Sequence, residues 1–297
     1  MDLVTMGHVL FDIRCYVKDF PVPDKTAFTY SEIETSLGGS AANAACAAAI
    51  LGIKAGFMGN IGGDAEGGQL IQHLLKTGVD IARLRLIDGK TGKAIVIVNE
   101  ESNVEVVEMR GVNEPFGKVD PTYIADAKYM LMTGTSLDAL ELAARYAKEN
   151  NVKTIFDPGR ARSRDGLKAL SSILRNSDYI IINRAELSML TGEKTVETGI
   201  EKVQKVNDDI TCVIKGGGSP VFVRGSENFE SEPFKVKPVD TIGAGDAFCA
   251  GFIVGLVEHK SLQHSVKLAN AVAAAKVERK GAHNVPSRDE IKKRFKI

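Results

Sequence analysis

Short runs of apolar, largely β-branched residues alternate with helical patterns along almost the whole chain of 297 residues. The runs are continuously apolar, which is typical of parallel strands that are covered on both faces. We therefore expect an α/β fold, a doubly wound three-layer sandwich with a mostly parallel central sheet. Such folds bind ligands at the carboxyl ends of their strands. The predicted strands are 3–6, 56–58, 129–132, 154–156, 179–182, 212–215 and 221–223, and the predicted helices are 41–51, 65–76, 137–150, 166–175, 200–206, 245–258, 262–280 and 288–295.

Two segments interrupt this alternation. Residues 12–35 contain short extended pieces around Pro21 and Pro23, and residues 93–109 predict a hairpin around the polar turn 100–103. Together they could form a small β-sheet, either a lid over the strand ends or a surface that pairs with a second chain. We expect a single domain, residues 1–297, into which lid segments at about 12–36 and 91–111 are inserted.

Charge and composition exclude several classes of protein. The 38 Lys and Arg residues balance 38 Asp and Glu residues and are scattered, which argues against a nucleic-acid partner. The longest apolar stretches, 44–52 and 247–257, are too short to span a bilayer, and the N-terminus lacks the features of a signal peptide. We therefore expect no membrane partner. The four cysteines are widely separated, which favours reduced thiols in a cytoplasmic protein over a zinc site.

The segment Asp240-Thr-Ile-Gly-Ala-Gly-Asp246 directly precedes a predicted helix. Gly243, Ala244 and Gly245 permit a tight turn and the close approach of a ligand. The helix start offers N–H groups and a positive dipole end, which suit a phosphate during its transfer. Asp246 could then take a proton from a hydroxyl group. A simpler interpretation is that Asp246 caps the helix and the glycines only form the turn.

Three further segments could bind ligands. Gly38-Gly-Ser-Ala-Ala-Asn43 opens an alanine-rich helix, and the Asn43 amide can hold a hydroxyl group, although close helix packing explains this segment better. Asn183 and Glu186 share a helical face, which suits either metal-bound phosphates or a helix cap. Lys215 begins a Lys-Gly-Gly-Gly turn that could approach a nucleotide or only close a hairpin. Walker A, GxGxxG and GxSxG motifs are missing from the relevant positions.

In this order, Gly38-Gly39…Asn43, Asn183…Glu186 and Asp240-Thr…Gly-Ala-Gly-Asp246 resemble the ribokinase-like (PfkB) carbohydrate kinase family. The resemblance covers nearly the whole chain. It implies an ATP-dependent kinase that transfers the γ-phosphoryl group to a hydroxymethyl oxygen of a sugar or nucleoside. It also implies Mg²⁺ as a cofactor, K⁺ as a candidate second cation, and a homodimer that forms through the β-lid.

The resemblance implies a role for each matching residue. The implied roles are Asp246 as base; the backbone N–H groups of Gly243, Ala244 and Gly245 as anion hole; Asp12, Gly39 and Asn43 for the acceptor; Asn183, Lys215, Gly216, Gly218, Asn270 and Gly281 for the nucleotide; Glu186 for Mg²⁺ through water; and Asp240 and Ile242 for K⁺. We expect the helix start to keep Asp246 ionised, ready for a proton that is released late in phosphoryl transfer.

The acceptor stays open at this point. Ribose, 2-keto-3-deoxygluconate, fructose, nucleosides and sugar phosphates are all used within the family. Ser40 stands where ribokinases usually carry a lysine, which argues against ribose. Arg110 and Arg160 could meet a carboxylate or phosphate on the acceptor, or remain solvated. The alternatives are a nucleoside kinase and a non-catalytic sugar- or nucleotide-binding protein, and the retained Asp246 loop argues against the latter. A kinase of small ring alcohols is disfavoured by the hairpin at 93–109.

Overall fold

The computed structural model describes residues 1–101 and 103–297. Its strands are β1 (Leu3–Met6), β2 (Leu10–Tyr16), β3 (Glu34–Gly38), β4 (Ala55–Gly62), β5 (Asp80–Ile87), β6 (Lys93–Val98), β7 (Val104–Met109), β8 (Tyr129–Thr133), β9 (Lys153–Asp157), β10 (Tyr179–Asn183), β11 (Thr211–Lys215), β12 (Val221–Arg224) and β13 (Phe229–Ser231). Its helices are α1 (Ser40–Ile50), α2 (Ala65–Lys76), α3 (Pro121–Ala125), α4 (Leu137–Glu149), α5 (Gly159–Ser163), α6 (Gly166–Arg175), α7 (Arg184–Thr191), α8 (Val196–Gln204), α9 (Ala244–Val257), α10 (Leu262–Val277) and α11 (Arg288–Phe295).

Nine of the described strands form one sheet in the order β13-β12-β11-β10-β9-β8-β1-β4-β5. All neighbours from β11 to β5 run parallel, whereas β12 and β13 are antiparallel additions at one edge. The parallel arrangement brings the carboxyl ends of β1, β8, β9, β10 and β11 to one edge of the sheet. That edge is where a ligand site is expected in such a fold.

The central strands are buried on both faces, as their continuous hydrophobicity predicts. In β8, Leu131 packs in a core cluster with α1, α9 and α10, whereas Met130 and Met132 pack in the opposite cluster with α3, α4 and α6. Successive side chains of a strand point to opposite faces, so helices must cover both sides of the sheet. The predicted three-layer α/β sandwich is thereby confirmed.

The two interrupting segments form a small separate sheet. Its order is β3-β2-β6-β7, in which β2 pairs antiparallel with β3 and parallel with β6. The predicted hairpin is present as β6 and β7, which pair antiparallel from Lys93↔Met109 to Val98↔Val104. Its turn includes residue 102, which lies outside the described residues. The small sheet supplies one wall of the candidate site.

Some elements differ from the sequence-based prediction. The strand β5 was not predicted, because it is an edge strand with exposed residues and two arginines rather than an apolar run. Helix α8 begins at Val196 and not at residue 200, because Thr195 caps it by accepting a hydrogen bond from the Thr198 N–H. Helix α10 ends at Val277 and not at residue 280. None of these differences changes the sheet edge that carries the site.

None of the helices in the described part of the chain is long and apolar enough to cross a membrane.

Candidate active site

A cavity of about 720 Å³ lies between the carboxyl ends of β8 and β9, the start of α9 and the small sheet. We call it the acceptor cavity. Asp12 of β2, Asn43 of α1 and Asp246 of α9 all line it, although they are far apart in sequence. Gly39 and Gly243 also contribute to its wall. The predicted acceptor residues are therefore brought together with the predicted base.

Asp246 is held by a side chain from another helix. The Asn43 Nδ2 group donates a hydrogen bond to Asp246 Oδ2 at 2.8 Å. Helix α1 can start here because Gly39 adopts φ +90°, and a Cβ atom on Gly39 would lie 2.4 Å from the carbonyl oxygen of His8. Only glycine tolerates both the left-handed conformation and this close approach. The glycine therefore fixes where Asn43 meets Asp246.

Burial changes the acidity of the two carboxyl groups in the acceptor cavity. Protein atoms surround the Asp246 carboxyl group, and this burial raises its pKa from 3.8 to about 6, although the Asn43 hydrogen bond opposes the shift. Burial likewise raises the pKa of Asp12 to about 7, against the lowering effect of Arg14. Asp246 is therefore still mostly ionised at neutral pH, as expected, but the loss of hydration outweighs the helix dipole and makes it less acidic than an ordinary aspartate. An aspartate with this pKa is a better base at neutral pH.

The turn before α9 leaves N–H groups directed toward ligands. Gly243 adopts φ +78° at the start of α9, and a Cβ atom there would lie 2.5 Å from the Ala282 carbonyl oxygen. The Ala244 N–H donates to the Thr241 carbonyl oxygen at 3.2 Å. The Gly243 and Gly245 N–H groups have no acceptor in residues 1–101 and 103–297. Of the three predicted anion-hole groups, these two are the better placed to receive a phosphate oxygen.

Lys215 places a positive charge beside this turn. Its Nζ atom lies 2.8 Å from Asp157 Oδ2, and a Cβ atom on Gly245 would lie 3.3 Å from the same Nζ. Burial disfavours the ammonium form, but the Asp157 carboxylate outweighs this and raises the pKa of Lys215. The lysine is therefore charged at neutral pH and lies beside Gly245.

A second cavity, of about 450 Å³, lies on the other side of the turn. We call it the nucleotide cavity. The predicted nucleotide residues Lys215, Gly216, Gly218 and Asn270 line it, together with apolar side chains of α9 and α10. The Lys-Gly-Gly-Gly segment also closes the hairpin between β11 and β12, as one of its two interpretations predicted, whereas its contact with a nucleotide stays a prediction. Gly245 lines both cavities, which therefore meet at the turn before α9.

The chain is similar to known proteins in sequence and in fold. The family model described as pfkB family carbohydrate kinase matches residues 1–289. The chain belongs to this family. It is 33% identical over 97% of its length, and 96% of the relative's, to an ATP-dependent ribose-1-phosphate kinase of Halopiger xanaduensis. It is also 32% identical over 97% of its length, and 96% of the relative's, to the ribokinase of Haemophilus influenzae.

A solved structure supports the same conclusion. The structure of Arabidopsis thaliana ribokinase complexed with ribose and ATP superposes with a TM-score of 0.86 at 27% identity, covering 100% of this chain and 99% of the ribokinase. The chain is thus a pfkB carbohydrate kinase, an ATP-dependent phosphotransferase with an alcohol group as acceptor. The ribokinase-like resemblance seen in the sequence is confirmed.

Asn183, which was predicted to bind the nucleotide, and Glu186, which was predicted to bind Mg²⁺ through water, lie outside both cavities of this kinase. Asn183 and Glu186 form a capping box at the start of α7, in which Asn183 Oδ1 accepts from the Glu186 N–H at 2.9 Å and Glu186 Oε2 accepts from the Asn183 N–H at 3.0 Å. Burial, and then the negative charge of Asp157, raise the pKa of Glu186. In the described part of the chain, no group of three His, Cys, Asp or Glu side chains could hold a metal ion directly.

Asp240 and Gly281 lie behind the turn before α9. The Gly281 N–H donates to Asp240 Oδ2 at 2.8 Å, and the Ile242 N–H donates to Asp240 Oδ1 at 2.9 Å. Gly281 does not line either cavity, whereas Ile242 lines the acceptor cavity. Both residues thus contact Asp240 through their backbone and fix the turn from behind.

Several ionisable residues around this site were not singled out from the sequence. His8 lines the acceptor cavity, with Nδ1 3.3 Å from Glu108 Oε1. Arg14 and Lys276 are buried and contact Asp240. No local pattern pointed to these residues, because a single ionisable residue in a strand or at a helix end is usually exposed.

Proposed function

We propose that this kinase transfers the γ-phosphoryl group of Mg-ATP, bound in the nucleotide cavity, to a hydroxymethyl oxygen of a sugar in the acceptor cavity. The observation that carries the proposal is that the two cavities meet at Gly245, next to Asp246. A sugar oxygen that reaches this point attacks the γ-phosphorus, and the bond from phosphorus to the ADP oxygen breaks. Asp246 accepts the hydroxyl proton.

Charge stabilisation at the turn is the main contribution of the protein. The Gly243 and Gly245 N–H groups would receive the oxygens of the transferred group, with the Ala244 N–H nearby. The Lys215 ammonium supplies a charge beside them. One donor of this kind typically contributes about 3 kcal/mol to transition-state stabilisation. Because phosphoryl transfer has a loose transition state, such positioning matters more than a strong base.

The remaining predicted roles follow this division into two cavities. Gly216, Gly218 and Asn270 would contact the nucleotide, and Gly281 would support the turn through Asp240. Glu186 and Asn183 would orient Mg²⁺ and the phosphates through water, since Mg²⁺ retains several waters in such sites. Asp12, Gly39 and Asn43 would hold the acceptor hydroxyl groups.

We propose a sugar that carries a phosphate or another anionic group as the acceptor. Arg160 and Arg164 line the acceptor cavity, and neither makes an ion pair with any side chain of the described residues. Arg110 lines it too, but it is paired with Glu114. Unpaired guanidinium groups are well suited to bind phosphate or carboxylate. The 33% identical ribose-1-phosphate kinase is consistent with such an acceptor.

A nucleoside acceptor is the second candidate. The described residues that line the acceptor cavity include no Phe, Tyr or Trp ring on which a nucleobase could stack. Nucleobase recognition usually uses such a ring. The geometry therefore favours the sugar.

We also propose a homodimer that forms through the lid. Val106 and Glu108 of β7 line the acceptor cavity, so the alternating residues Val107 and Met109 face the other way. Val107 is 56% exposed, and β7 is an edge strand of the small sheet. Exposed apolar residues on a strand edge are typical of an interface. A cytoplasmic location stays a prediction, supported by the four free thiols.

The acceptor proposal is tested by measuring ADP release with Mg-ATP across matched pairs of neutral sugars and sugar phosphates. We expect kcat/KM to be much higher for the sugar phosphate than for the matching neutral sugar in at least one pair. In Arg160→Gln or Arg164→Gln, the KM for that sugar phosphate should increase at least tenfold. Arg175→Gln, an exposed change at the end of α6, is the matched control and should leave KM unchanged. A neutral sugar that outperforms every anionic one would contradict the proposed acceptor class.

A further inference from the structure

Lys276 is a lysine whose side chain is completely buried in the last turn of α10. Its Nζ atom donates a hydrogen bond to the Asp240 carbonyl oxygen at 2.8 Å and lies 3.9 Å from Asp240 Oδ1. Lysine is almost never fully buried unless its charge is paired. A buried ammonium group therefore stands directly behind the turn that forms the anion hole.

A second buried cation contacts the same aspartate. Arg14 of the lid strand β2 donates from Nη1 to Asp240 Oδ2 at 2.9 Å, and its side chain is 3% exposed. Both carboxylate oxygens of Asp240 also accept backbone N–H groups, from Ile242 and Gly281. The carboxylate and the carbonyl group of Asp240 therefore already accept hydrogen bonds from two cationic side chains and two backbone N–H groups.

These contacts control the position of the anion-hole turn. Asp240 is three residues from Gly243, and its side chain holds the Ile242 N–H inside the turn. The Val239 and Asp240 N–H groups both donate to the Val277 carbonyl oxygen, which anchors the chain before the turn to the end of α10. Any charge that fixes the Asp240 carbonyl group therefore acts on the turn, and through it on the N–H groups of Gly243 and Gly245.

An additional monovalent cation does not fit beside Asp240. The Asp240 carbonyl oxygen, which would be a ligand of such an ion, is bound by the Lys276 ammonium group. An added ion would also place a third positive charge around a single carboxylate in a buried site, where like charges repel strongly. An ammonium group has the same charge as K⁺ and a similar size, so it can hold a carbonyl oxygen in the same way.

We propose that the Lys276 ammonium group takes the place that the family resemblance gives to K⁺, so that this kinase carries its own monovalent cation and does not depend on K⁺. Lys276 is then a positioning residue, because it acts on the turn through Asp240 and does not touch the reacting atoms. The activity part of the test rests on the proposed function, whereas the melting part does not.

The test compares K⁺ with tetramethylammonium, an ion too large for such a site, at equal ionic strength. In the wild-type chain we expect turnover to differ by less than twofold between the two salts, and no K⁺-specific rise in melting temperature. In Lys276→Met the side chain is one atom shorter, so the position of Nζ becomes open to an ion. In tetramethylammonium, we expect the turnover of this variant to be at least tenfold lower than that of the wild type. Adding K⁺ or NH₄⁺ should raise the variant's turnover at least fivefold.

Melting of the same variants without substrates provides an independent measurement. K⁺ should raise the melting temperature of Lys276→Met but not that of the wild type or of Lys267→Met, an exposed control on the same helix. A wild-type chain that K⁺ activates more than threefold, or whose melting temperature K⁺ raises specifically, would overturn the proposal. So would a folded Lys276→Met that keeps full turnover, or one that K⁺ neither stabilises nor reactivates. If the variant does not fold, the wild-type measurements still decide.

Discussion

Replacing Asp246 by asparagine is predicted to abolish most turnover and also to stabilise the fold. The pKa of Asp246 is about 6 in the folded chain against an ordinary 3.8, so the ionised form is less favourable folded than unfolded. One pKa unit corresponds to about 1.36 kcal/mol. The cost of ionisation is absent below about pH 4, develops between pH 4 and 6, and reaches about 3 kcal/mol above pH 6. Asparagine removes this cost and can still accept the hydrogen bond from Asn43.

The stability of wild type and Asp246→Asn should be measured by urea unfolding at pH 8 and at pH 4.5. We expect the variant to be more stable by up to about 3 kcal/mol at pH 8, but by only about 1 kcal/mol at pH 4.5. Turnover at pH 8 should fall at least about 100-fold, the usual contribution of a general base. Asp138→Asn, in the exposed first turn of α4, is the matched control and should show no pH-dependent gain.

Three results would refute this reasoning. A variant that is less stable than the wild type at pH 8 would show that the buried carboxylate is stabilising, contrary to the desolvation argument. A variant with near-normal turnover would remove Asp246 from the role of base. A stability difference of the same size at both pH values would mean that ionisation is not its cause.

Further outcomes follow from the same geometry. Below pH 6, kcat/KM should fall about tenfold per pH unit as Asp246 becomes protonated, and a flat profile from pH 5 to 8 would contradict this. Lys215→Met should leave Asp157 buried without its cation, so urea unfolding should show a loss of about 3 kcal/mol of stability. Steady-state kinetics should show a higher KM for ATP. Gly39→Val should reduce both folding yield and turnover, since φ +90° strains a β-branched residue, and normal levels would argue against this account of the α1 start. Val107→Lys should shift a dimer to a monomer in light scattering, and a wild-type monomer would refute the lid interface.

The fold could be predicted from the sequence because the central strands are apolar on both faces. Runs such as 129–132 and 179–182 have no polar residue that could face solvent, so helices had to cover both sides. The edge strand β5 could not be predicted in this way, because its outer side needs no apolar cover. Exposed edges carry charged side chains that hide the strand pattern.

The candidate site was predictable where its chemistry depends on backbone and motif. The turn at 243–245 follows from glycine positions that the sequence displays, whereas only the family resemblance placed Asn43 and Asp246 at the same acceptor. The raised pKa of Asp246 and the buried contacts of Lys276 were not predictable, since both depend on how deeply a side chain is enclosed by distant segments. Burial is a property of the assembled layers and leaves no local pattern in the sequence.

The most direct test of the central claim is ³¹P NMR of the products formed from Mg-ATP and a turned-over acceptor, with wild type and Asp246→Asn compared. We predict one new phosphomonoester signal per ADP formed by the wild type, with a coupling to hydroxymethyl protons, and almost none with the variant. Release of inorganic phosphate without a sugar phosphoester, or equal product from Asp246→Asn, would contradict transfer to a sugar hydroxyl at Asp246.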